Sequence, residues 1–435
     1  MSNKKLEDLE DFFSDHNGRI PIIGTGIVGS SLAAILSGSS KYVSVILLDR
    51  NISTEIPVGS SGLAPGFVGQ LNELPVLTEL AKRSVKHYLT LPDQRVFQQL
   101  GGLEIAFTSV GVKSLEKRLK LAQEAGLKAK IINDVEAIVK LAPHLINVQG
   151  VQTGNPKALY FEEDGKDPVI RTHIERENAE KSGAHLMDGD VEEIEMLGEG
   201  HYIAHVRIGK RGERTQIHAE KIVICTGLWA RQLAAKELWP IVQVKHPYSY
   251  SAVRAPKVPS PFVRWPEVHV YARDHGDRDG VGSYEHTPIP ILDEDELRGI
   301  NGSLDKWPVE FDKVLEDAGS VLTTDVRITF EDSVNLQEKD PGSSGAYKFN
   351  GLFAVTPDGL PLVGTLGNGV YCAVGIWVTH AYGSARLIAD VVLGEKKEED
   401  EWIFKQLDPH RFGERTEELV QKAVGTYNDI YNRKQ

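Results

Sequence analysis

The sequence predicts an α/β protein in which two domains are interleaved along the chain. Residues 20–49 give a short apolar run, a glycine-rich turn, a helical apolar pattern and a second apolar run, the order of a strand–helix–strand unit. Apolar runs ending at Thr226-Gly227 and at Gly375 repeat the step from a buried strand into a turn. Residues 240–264 instead alternate apolar and polar side chains, and residues 268–290 have the pattern of a β-hairpin. The first domain is therefore built from early, middle and late segments, and the second from those between them.

The composition is that of a globular protein with neither a nucleic-acid nor a membrane partner. The 435 residues are enough for two domains. The formal net charge is -13, whereas nucleic acids and anionic membranes bind basic faces. The acidic start of the chain does not resemble a signal peptide, and no apolar run approaches the length of a bilayer crossing. We expect a cytoplasmic protein.

Only two cysteines, Cys225 and Cys372, occur, and each lies inside an apolar run. This number is too small for a disulfide framework and gives no zinc-binding pattern. We expect two buried, inert thiols and predict no metal.

The glycine-rich turn has the pattern that binds the pyrophosphate of a dinucleotide. Gly24, Gly26 and Gly29 form G-x-G-x-x-G directly after the first apolar run. Gly24 allows the tight turn, Gly26 lets the backbone approach the ligand, and Gly29 lets the helix lie close to the strand. The pyrophosphate would lie at the helix N-terminus, whose unpaired N–H groups favour an anion. Asp49, 20 positions after Gly29, would accept hydrogen bonds from the adenosine ribose.

The turn alone separates neither a dinucleotide site from a plain strand–helix–strand unit nor NAD from FAD. The preceding strand, the following helix and the acid at this spacing favour the dinucleotide. The three separate segments favour FAD, because a flavoprotein must enclose a long buried cofactor. A helix start within residues 375–383 offers a second positive N-terminus. We expect it to face the flavin, with Thr379 and His380 as hydrogen-bond donors, although core packing is the alternative.

The remaining segments predict the elements around these parts. Residues 59–72 are rich in Gly and Ser and poor in charge, which suits packing against a cofactor better than an exposed loop. Residues 268–290 predict a β-hairpin, and the charge run from Glu395 predicts a solvated linker before one closing helix. Helices are predicted at residues 77–91, 112–126, 134–141, 168–182 and 297–318, and strands at residues 99–109, 185–196, 201–209 and 214–225.

Several segments resemble, in the same order, one family of flavoenzymes. They are GTGIVGSSLA, GSSGLAPGFVGQLN, QLGGLEIA, YARDHGDRDGVGSYEH, TPDGLPLVG and AVGIWVTHAYGSAR. This series is similar to the flavin half of the dimethylglycine oxidases and of the dimethylglycine and sarcosine dehydrogenases, within the D-amino-acid-oxidase-like superfamily. The resemblance runs from about residue 20 to the end of the chain.

The resemblance implies an α/β fold with a Rossmann-like FAD-binding domain interleaved with a mixed antiparallel-sheet substrate domain. FAD-binding segments are predicted at residues 17–98, 154–233 and 351–398, substrate-domain segments at residues 99–153 and 234–350, and a C-terminal tail and helix at residues 399–435. The residues expected to contact FAD are Gly24, Gly26, Gly29, Asp49, Arg50, Ser60, Ser61, Leu63, Ala64, Val191, Thr226, Gly227, Trp229, Gly375, Trp377, Thr379 and His380.

The same resemblance implies a histidine and a tyrosine over the flavin ring, which match His246 in VKHPYSY and Tyr271 in VHVYARDHGD. An amine must be neutral before its α C–H can leave as hydride, so groups that favour the unprotonated nitrogen raise the reactive fraction. Without the resemblance, a core histidine and a packed sheet tyrosine would be the preferred interpretation. Arg273, two positions beyond Tyr271 on the same strand face, is the expected partner of a substrate carboxylate.

The sequence departs from the family at two points. The family's loop histidine, which bonds covalently to the flavin, corresponds to Leu63, so we expect FAD to be held non-covalently. The family's C-terminal folate-binding half has no counterpart before Gln435. An iminium product would therefore hydrolyse to an aldehyde.

We expect an FAD-dependent amine oxidoreductase that acts on a small secondary or tertiary amine such as an N-methylated amino acid, with O2 or an acceptor protein reoxidising the flavin. Two alternatives stay open. One is a glycine or D-amino-acid oxidase with the same fold, and the other is a flavin-binding protein without turnover.

Overall fold

In the computed structural model of this chain, two large sheets and the helices around them surround a cavity that residues of both sheets line. The structure describes residues 18–430 except 42–43, 53–58, 92, 94–96, 148–155, 167–169, 199, 209–211, 234–238, 301–305 and 341. The expectations for the first 16 residues and for the chain end at Gln435 lie outside these ranges. No helix among the described residues has both the length and the apolar character that a bilayer crossing needs.

Among the described residues, the first sheet has eight strands, parallel at its centre and antiparallel at both edges. Arg19–Ile23 pairs in parallel with Ser44–Asp49, and helix Ile27–Ser37 connects them, which confirms the predicted strand–helix–strand unit. Residues 20–23 and 45–48 of these strands are apolar because layers cover both of their faces. The strand order is Glu213–Ala219, His201–Ile208, His185–Gly198, Ser44–Asp49, Arg19–Ile23, Ile222–Ile224, Val370–Val374 and Leu362–Gly367.

The core beside this sheet joins early and late segments of the chain. Leu32 and Leu36 of the first helix are fully buried in one apolar cluster with Leu387 and Ile388 of helix Ala381–Val392. Burying each such side chain contributes about 1.5–3 kcal/mol. This cluster therefore holds the late helix against the glycine-rich turn.

The second sheet has ten strands of mixed direction in the part of the chain that the structure describes. The hairpin predicted for residues 268–290 is confirmed as Val270–Asp274 paired with Asp279–Ser283. The strand order is Val334–Asn335, Tyr347–Val355, Val242–Tyr250, Asp279–Ser283, Val270–Asp274, Phe262–Trp265, Gly102–Ala106, Lys157–Phe161 and Ala129–Ile132, with Pro290–Ile291 also paired to Val242–Tyr250. A separate ribbon joins Phe67–Val68 to Gly165–Lys166.

The helices lie around these sheets. The α-helices are Ile27–Ser37, Ser60–Leu63, Pro75–Tyr88, Ser109–Glu124, Val135–Leu141, Ile170–Lys181, Ala230–Leu233, Glu294–Gly299, Glu310–Gly319, Thr324–Arg327, Ala381–Val392, Glu401–Leu407 and Glu417–Thr426. Short 3-10 helices are Gly227–Trp229, Pro266–Val268, Ile328–Phe330, Val378–His380 and Glu398–Asp400.

The prediction of a single helix at residues 297–318 is wrong. The structure has two helices, Glu294–Gly299 and Glu310–Gly319, and residues 306–308 before the second are not helical. Pro308 accounts for the break, because a proline disfavours helical backbone in the residue before it.

After Glu395, the predicted solvated linker is confirmed, because residues 395–399 are exposed, but the prediction of a single closing helix is wrong. Two helices, Glu401–Leu407 and Glu417–Thr426, follow this point. The linker is anchored, because Asp400 is 1% exposed and accepts a hydrogen bond of 2.6 Å from Arg83.

Strand Lys157–Phe161 lies in the second sheet, although the predicted FAD-binding segment 154–233 includes it. Local sequence does not distinguish the two sheets, since a short apolar strand suits either. The other domain boundaries stay predictions.

Both thiols are buried, as the sequence predicted. Burial raises the pKa of Cys225 to about 12 and also raises the pKa of Cys372. Neither side chain is therefore a reactive thiolate at neutral pH.

Candidate active site

A cavity of about 650 Å³ is lined by residues of both large sheets. The first sheet contributes the glycine-rich turn and the C-terminal end of the strand at Asp49. The second sheet contributes His246 and Tyr271. Two chemically different ends, one rich in backbone amides and one rich in aromatic side chains, therefore face one space.

The glycines of the turn are required by close contacts. Gly24 has φ +103°, and a Cβ there would lie 2.5 Å from the carbonyl oxygen of Cys225. A Cβ on Gly29 would lie 1.9 Å from the carbonyl oxygen of Gly24. Gly24 and Gly26 line the cavity, whereas Gly29 lies outside its lining and lets the helix approach the turn.

Asp49 fixes this end of the cavity through its carboxylate. Oδ2 accepts hydrogen bonds from the Thr25 backbone N–H at 2.8 Å and from its hydroxyl at 3.0 Å, and Oδ1 accepts one from the Asn51 N–H at 2.9 Å. A carboxylate can accept about four hydrogen bonds. Asp49 therefore keeps capacity for a hydroxyl in the cavity, and its contact with a ribose stays a prediction.

Ser61 already binds one backbone N–H group at the helix N-terminus, where the sequence predicted an anion site. Its Oγ accepts a 3.0 Å hydrogen bond from the Ile27 N–H. This hydroxyl therefore occupies one of the orphan donors of the first turn. A bound pyrophosphate would have to share or displace it.

The polar groups around this end fit FAD. Thr226 Oγ1, Arg50 Nη2 and Gln232 Nε2 are buried atoms of cavity-lining residues and have no hydrogen-bond partner among the described residues. Buried polar atoms normally have partners. The Arg50 guanidinium also lies 4.4 Å from the ring centroid of Trp229. The site therefore offers donors for phosphate oxygens and for the polar edges of a large planar ligand.

The late segment lines the cavity, as the sequence predicted. The 3-10 helix Val378–His380 precedes helix Ala381–Val392. Thr379 donates its hydroxyl proton to the carbonyl of Phe67 at 2.9 Å. This hydroxyl is therefore engaged within the protein, and the role of Thr379 as a donor to the flavin stays a prediction. Burial lowers the pKa of His380 to about 4, which keeps this ring neutral.

His246 and Tyr271 meet in the cavity wall. His246 Nε2 lies 2.5 Å from Tyr271 Oη, and the two rings are nearly parallel. His246 is 2% exposed and Tyr271 6% exposed. Burial, together with the neighbouring His286, holds the pKa of His246 well below its usual value. The pair therefore offers a neutral imidazole and a phenol to any amine in the cavity.

Arg273 does not line the cavity, contrary to the sequence prediction. Its guanidinium donates to the carbonyl oxygen of Pro65, and the residue is 5% exposed. Arg264 lines the cavity instead and lies directly opposite Tyr271 in the antiparallel strand pair. Residues opposite each other share a sheet face, so Arg264 is the cavity arginine beside the histidine–tyrosine pair.

Arg264 belongs to a buried charged cluster. Glu104 pairs with Arg264 at 3.1 Å and receives two hydrogen bonds, of 2.5 and 2.8 Å, from Arg118. Burial opposes ionisation of Glu104, but the two arginines hold its pKa below the usual range. Burial raises the pKa of the nearby Asp164 to about 7. Protonation of Asp164 removes one negative charge from this cluster.

Sequence reasoning missed Arg264, Tyr248, Tyr284 and Tyr427. The first three line the cavity, and Tyr427 contacts His246 Nδ1 at 2.5 Å. The alternation of residues 240–264 could have placed Tyr248 on the face of His246, two positions away. No local signal marks Tyr427, which lies 181 positions from His246.

A buried group of His144, Asp274 and Asp279 has metal-type ligands outside the cavity. Arg254 donates to both carboxylates at 2.6–2.7 Å, and Lys166 lies 3.3 Å from Asp274. These cations compensate the carboxylates, so the group is an ion-pair network within the second sheet.

Apart from Gly29, all of the residues predicted to contact the cofactor line the cavity. They are Gly24, Gly26, Asp49, Arg50, Ser60, Ser61, Leu63, Ala64, Val191, Thr226, Gly227, Trp229, Gly375, Trp377, Thr379 and His380.

Leu63 ends the short helix Ser60–Leu63 and lines the cavity with a side chain that forms no covalent bond to a flavin. We expect acid precipitation to release all of the yellow colour into the supernatant. Colour that stays with the protein pellet would contradict non-covalent binding and would mean that another residue carries the bond. A sample of free FAD treated in the same way shows the absorbance expected for complete release.

Comparison with known proteins yields one family and a set of similar folds. The model of the DAO family, FAD-dependent oxidoreductases, matches residues 19–391. A 4-methylaminobutanoate oxidase (formaldehyde-forming) of Paenarthrobacter nicotinovorans is 26% identical over 280 residues, which are 62% of this chain and only 32% of that protein. L-proline dehydrogenase from P. horikoshii superposes with a TM-score of 0.72 at 20% identity, covering 92% of this chain and 100% of that one. Glycine oxidase from Geobacillus kaustophilus superposes with a TM-score of 0.70 at 20% identity, and the match covers 91% of this chain and 99% of that one.

Proposed function

Because this chain belongs to the DAO family of FAD-dependent oxidoreductases, we propose that it oxidises a small secondary or tertiary amine, specifically an N-methylated amino acid. The predicted α/β FAD-binding fold and the FAD cofactor are confirmed. The observation that carries the proposal is the His246–Tyr271 pair, bonded at 2.5 Å in the wall of the cavity that also contains the glycine-rich turn.

The substrate class is supported by the partial relative. The P. nicotinovorans protein is named for the oxidation of an N-methylated amino acid with release of formaldehyde. The dimethylglycine and sarcosine enzymes, to which the sequence segments are similar, act on the same chemical class. An amine of this class has a methylated nitrogen and a carboxylate, and the cavity offers a neutral proton acceptor and an arginine for these groups.

The residues of the chain prepare the amine for oxidation. Bound FAD supplies the hydride acceptor. An amine in water at neutral pH is mostly an ammonium ion, whose lone pair is unavailable to expel the adjacent hydride. The Tyr271 oxygen takes a proton from the ammonium group, and the neutral His246 receives the phenol proton. The bound amine nitrogen is then neutral and its lone pair is available. Water then hydrolyses the imine product to an aldehyde, and O2 or an acceptor protein takes the electrons.

Arg264 binds the substrate carboxylate. It lies across the strand pair from Tyr271, so a carboxylate on the guanidinium leaves the amine end beside the phenol. The two hydrogen bonds from Arg118 hold Glu104 in place, so that Arg264 can direct a guanidinium N–H group toward the cavity. An arginine fork suits carboxylate geometry.

Arg264→Gln tests this assignment by comparing 4-methylaminobutanoate with N-methylbutylamine, which lacks the carboxylate. The variant should raise KM for the acid by about 10- to 100-fold, because a charge-assisted hydrogen bond contributes about 1.5–3 kcal/mol, and should leave KM for the plain amine unchanged. Arg273→Gln is the matched control outside the cavity. If KM for the acid rises in Arg273→Gln but not in Arg264→Gln, then Arg273 rather than Arg264 binds the carboxylate.

Product analysis tests the proposed reaction. Oxidation of the methyl carbon of 4-methylaminobutanoate gives formaldehyde and 4-aminobutanoate, whereas oxidation of the chain carbon gives methylamine and an aldehyde acid. We expect aldehyde and amine in equal amounts from this substrate, from sarcosine or from dimethylglycine. Turnover of glycine or D-alanine alone, with release of ammonia, would instead assign a primary amino-acid oxidase. FAD retention with no turnover of any of these amines would assign a binding protein.

A further inference from the structure

A continuous row of hydrogen bonds leads from the cavity wall toward the surface. Tyr271 Oη lies 2.5 Å from His246 Nε2, and His246 Nδ1 lies 2.5 Å from Tyr427 Oη. The Tyr427 oxygen also lies 2.8 Å from His286 Nε2. His286 Nδ1 lies 3.0 Å from the carbonyl oxygen of Thr287. His246 and Tyr271 line the cavity, whereas Tyr427 and His286 lie beyond its lining.

The Thr287 carbonyl fixes the direction of every hydrogen bond in this row. A carbonyl only accepts, so His286 carries its proton on Nδ1 and its Nε2 is an acceptor. Tyr427 must then donate its proton to His286 Nε2, and its oxygen accepts the proton of His246 Nδ1. His246 Nε2 is thereby left as the acceptor for the Tyr271 phenol. All protons point from the cavity toward the surface, and within this row the Tyr271 oxygen acts only as a donor.

The burial of these groups suits transfer along the row. Tyr427 is 0% exposed and His246 2% exposed, whereas His286 is partly exposed. Burial raises the pKa of Tyr427 well above its usual value, and the pKa of His246 is held low. Neither inner group therefore holds a charge. Burial also lowers the pKa of His286, so a proton that reaches it is readily lost to water.

We propose that Tyr427 and His286 extend the His246–Tyr271 pair into a proton-transfer chain that carries the ammonium proton of the substrate from the cavity to solvent. This inference rests on the proposed amine oxidation and adds two residues to it. The substrate N–H bond breaks as an O–H bond forms on Tyr271, whose own proton moves to His246 Nε2. His246 passes its Nδ1 proton to Tyr427, and Tyr427 passes its proton to His286. The transient imidazolium of His286 then loses a proton to water, so charge balances with no other reactant.

The C-terminal segment is held in the position that this role needs. Asn428 Nδ2 donates to the carbonyls of Tyr284 and His286, at 2.7 and 3.0 Å. Thr426 Oγ1 lies 2.9 Å from the Thr356 carbonyl. These bonds fix Tyr427 between the two histidines.

Few charged groups face this row. The exposed Glu285 lies beside His286 and also pairs with His269 at 3.5 Å. Aromatic rings also pack against the row: Phe311 lies beside His286, Phe353 lies beside His246, and Tyr284 contacts His246, Tyr271 and Tyr427. Near the cavity, Arg264 faces Tyr271 and Tyr248 stacks beside it. The apolar enclosure keeps water from replacing the row's hydrogen bonds.

The proton positions can be tested without any substrate. Nitrogen-15 NMR of histidine-labelled, FAD-loaded protein should show His246 and His286 as neutral rings protonated at Nδ1, the tautomer that is the minor one in water. Tyr427→Phe keeps the ring but removes the bridge, and should shift His246 to the Nε2-protonated tautomer. Finding His246 protonated at Nε2 in the parent protein would overturn the proposed direction of transfer.

The pH dependence of anaerobic flavin reduction tests transfer itself, with 4-methylaminobutanoate, sarcosine and dimethylglycine as the probes. Tyr427→Phe and His286→Phe should slow reduction by about 10²-fold at neutral pH and approach the parent rate at high pH, where solvent has already deprotonated the amine. Tyr202→Phe is the matched control, because it removes a buried phenol that donates to the Asn368 carbonyl far from the row. Parent-like pH profiles in both variants would overturn the proton chain. Absence of flavin reduction in the parent protein would instead contradict the proposed function.

Discussion

Replacing His246 with alanine, or Tyr271 with phenylalanine, is expected to slow anaerobic flavin reduction by about 10²-fold while FAD stays bound. Both side chains line the cavity and share a 2.5 Å hydrogen bond, so either change removes the acceptor for the ammonium proton. Stopped-flow measurement of flavin absorbance reports this step directly. FAD content measured on the same samples separates chemistry from cofactor loss.

The pH profile distinguishes this role from packing. His246 is neutral at the pH of the assay because burial holds its pKa well below the usual value. The variants should therefore recover as the pH rises toward the pKa of the free amine, since bulk solvent then supplies the neutral form. Tyr250→Phe is the control, because this tyrosine lies on the same strand as His246 but outside the cavity lining. If the His246 and Tyr271 variants reduce the flavin at the parent rate at every pH, the two side chains only pack the core and take no part in proton transfer.

Gly29→Ala is expected to abolish FAD retention and to lower the thermal unfolding temperature. Its Cβ would lie 1.9 Å from the Gly24 carbonyl oxygen, an atom of the backbone that cannot rotate away. The helix would have to move off the turn, which costs about 1–3 kcal/mol or more and opens the cofactor site. The ratio of flavin to protein absorbance after gel filtration measures the loss.

Gly425→Ala is the matched control for this substitution. Gly425 also lies in a helix, Glu417–Thr426, but a Cβ there meets no atom within 4 Å. Alanine should be neutral or stabilising by about 0.5–1 kcal/mol at that position. Full FAD occupancy and an unchanged unfolding temperature in Gly29→Ala would show that the close approach at the turn is not needed.

The parts of the site that local sequence determines were predicted well. The strand–turn–helix–strand unit at residues 19–49 follows from apolar periodicity and from three glycines whose spacing leaves few other conformations. The hairpin that presents Tyr271 was also predictable, because its turn residues separate two short strands. His246 and Tyr271 needed more than local pattern. Their assignment came from resemblance, and the structure brings them together.

The parts that depend on long-range pairing were missed. Strand alternation places Arg273 on the face of Tyr271 and so predicted it as the carboxylate partner, but alternation along one strand cannot show which residue lies opposite on the neighbouring strand. The cross-strand register puts Arg264 beside Tyr271 at the cavity. Tyr427 reaches His246 from 181 positions away, on a segment whose charged sequence predicted a solvated linker and one helix. Such contacts follow from packing of the whole fold.

Anaerobic mixing of the FAD-loaded protein with a series of amines tests the central claim most directly. The series pairs N-methylated amino acids (4-methylaminobutanoate, sarcosine and dimethylglycine) with their unmethylated counterparts (4-aminobutanoate and glycine), and adds D-alanine. We expect at least one methylated member to bleach the flavin rapidly and its unmethylated counterpart to leave it oxidised. Rapid bleaching by glycine or D-alanine, with none by the methylated amines, would contradict the account.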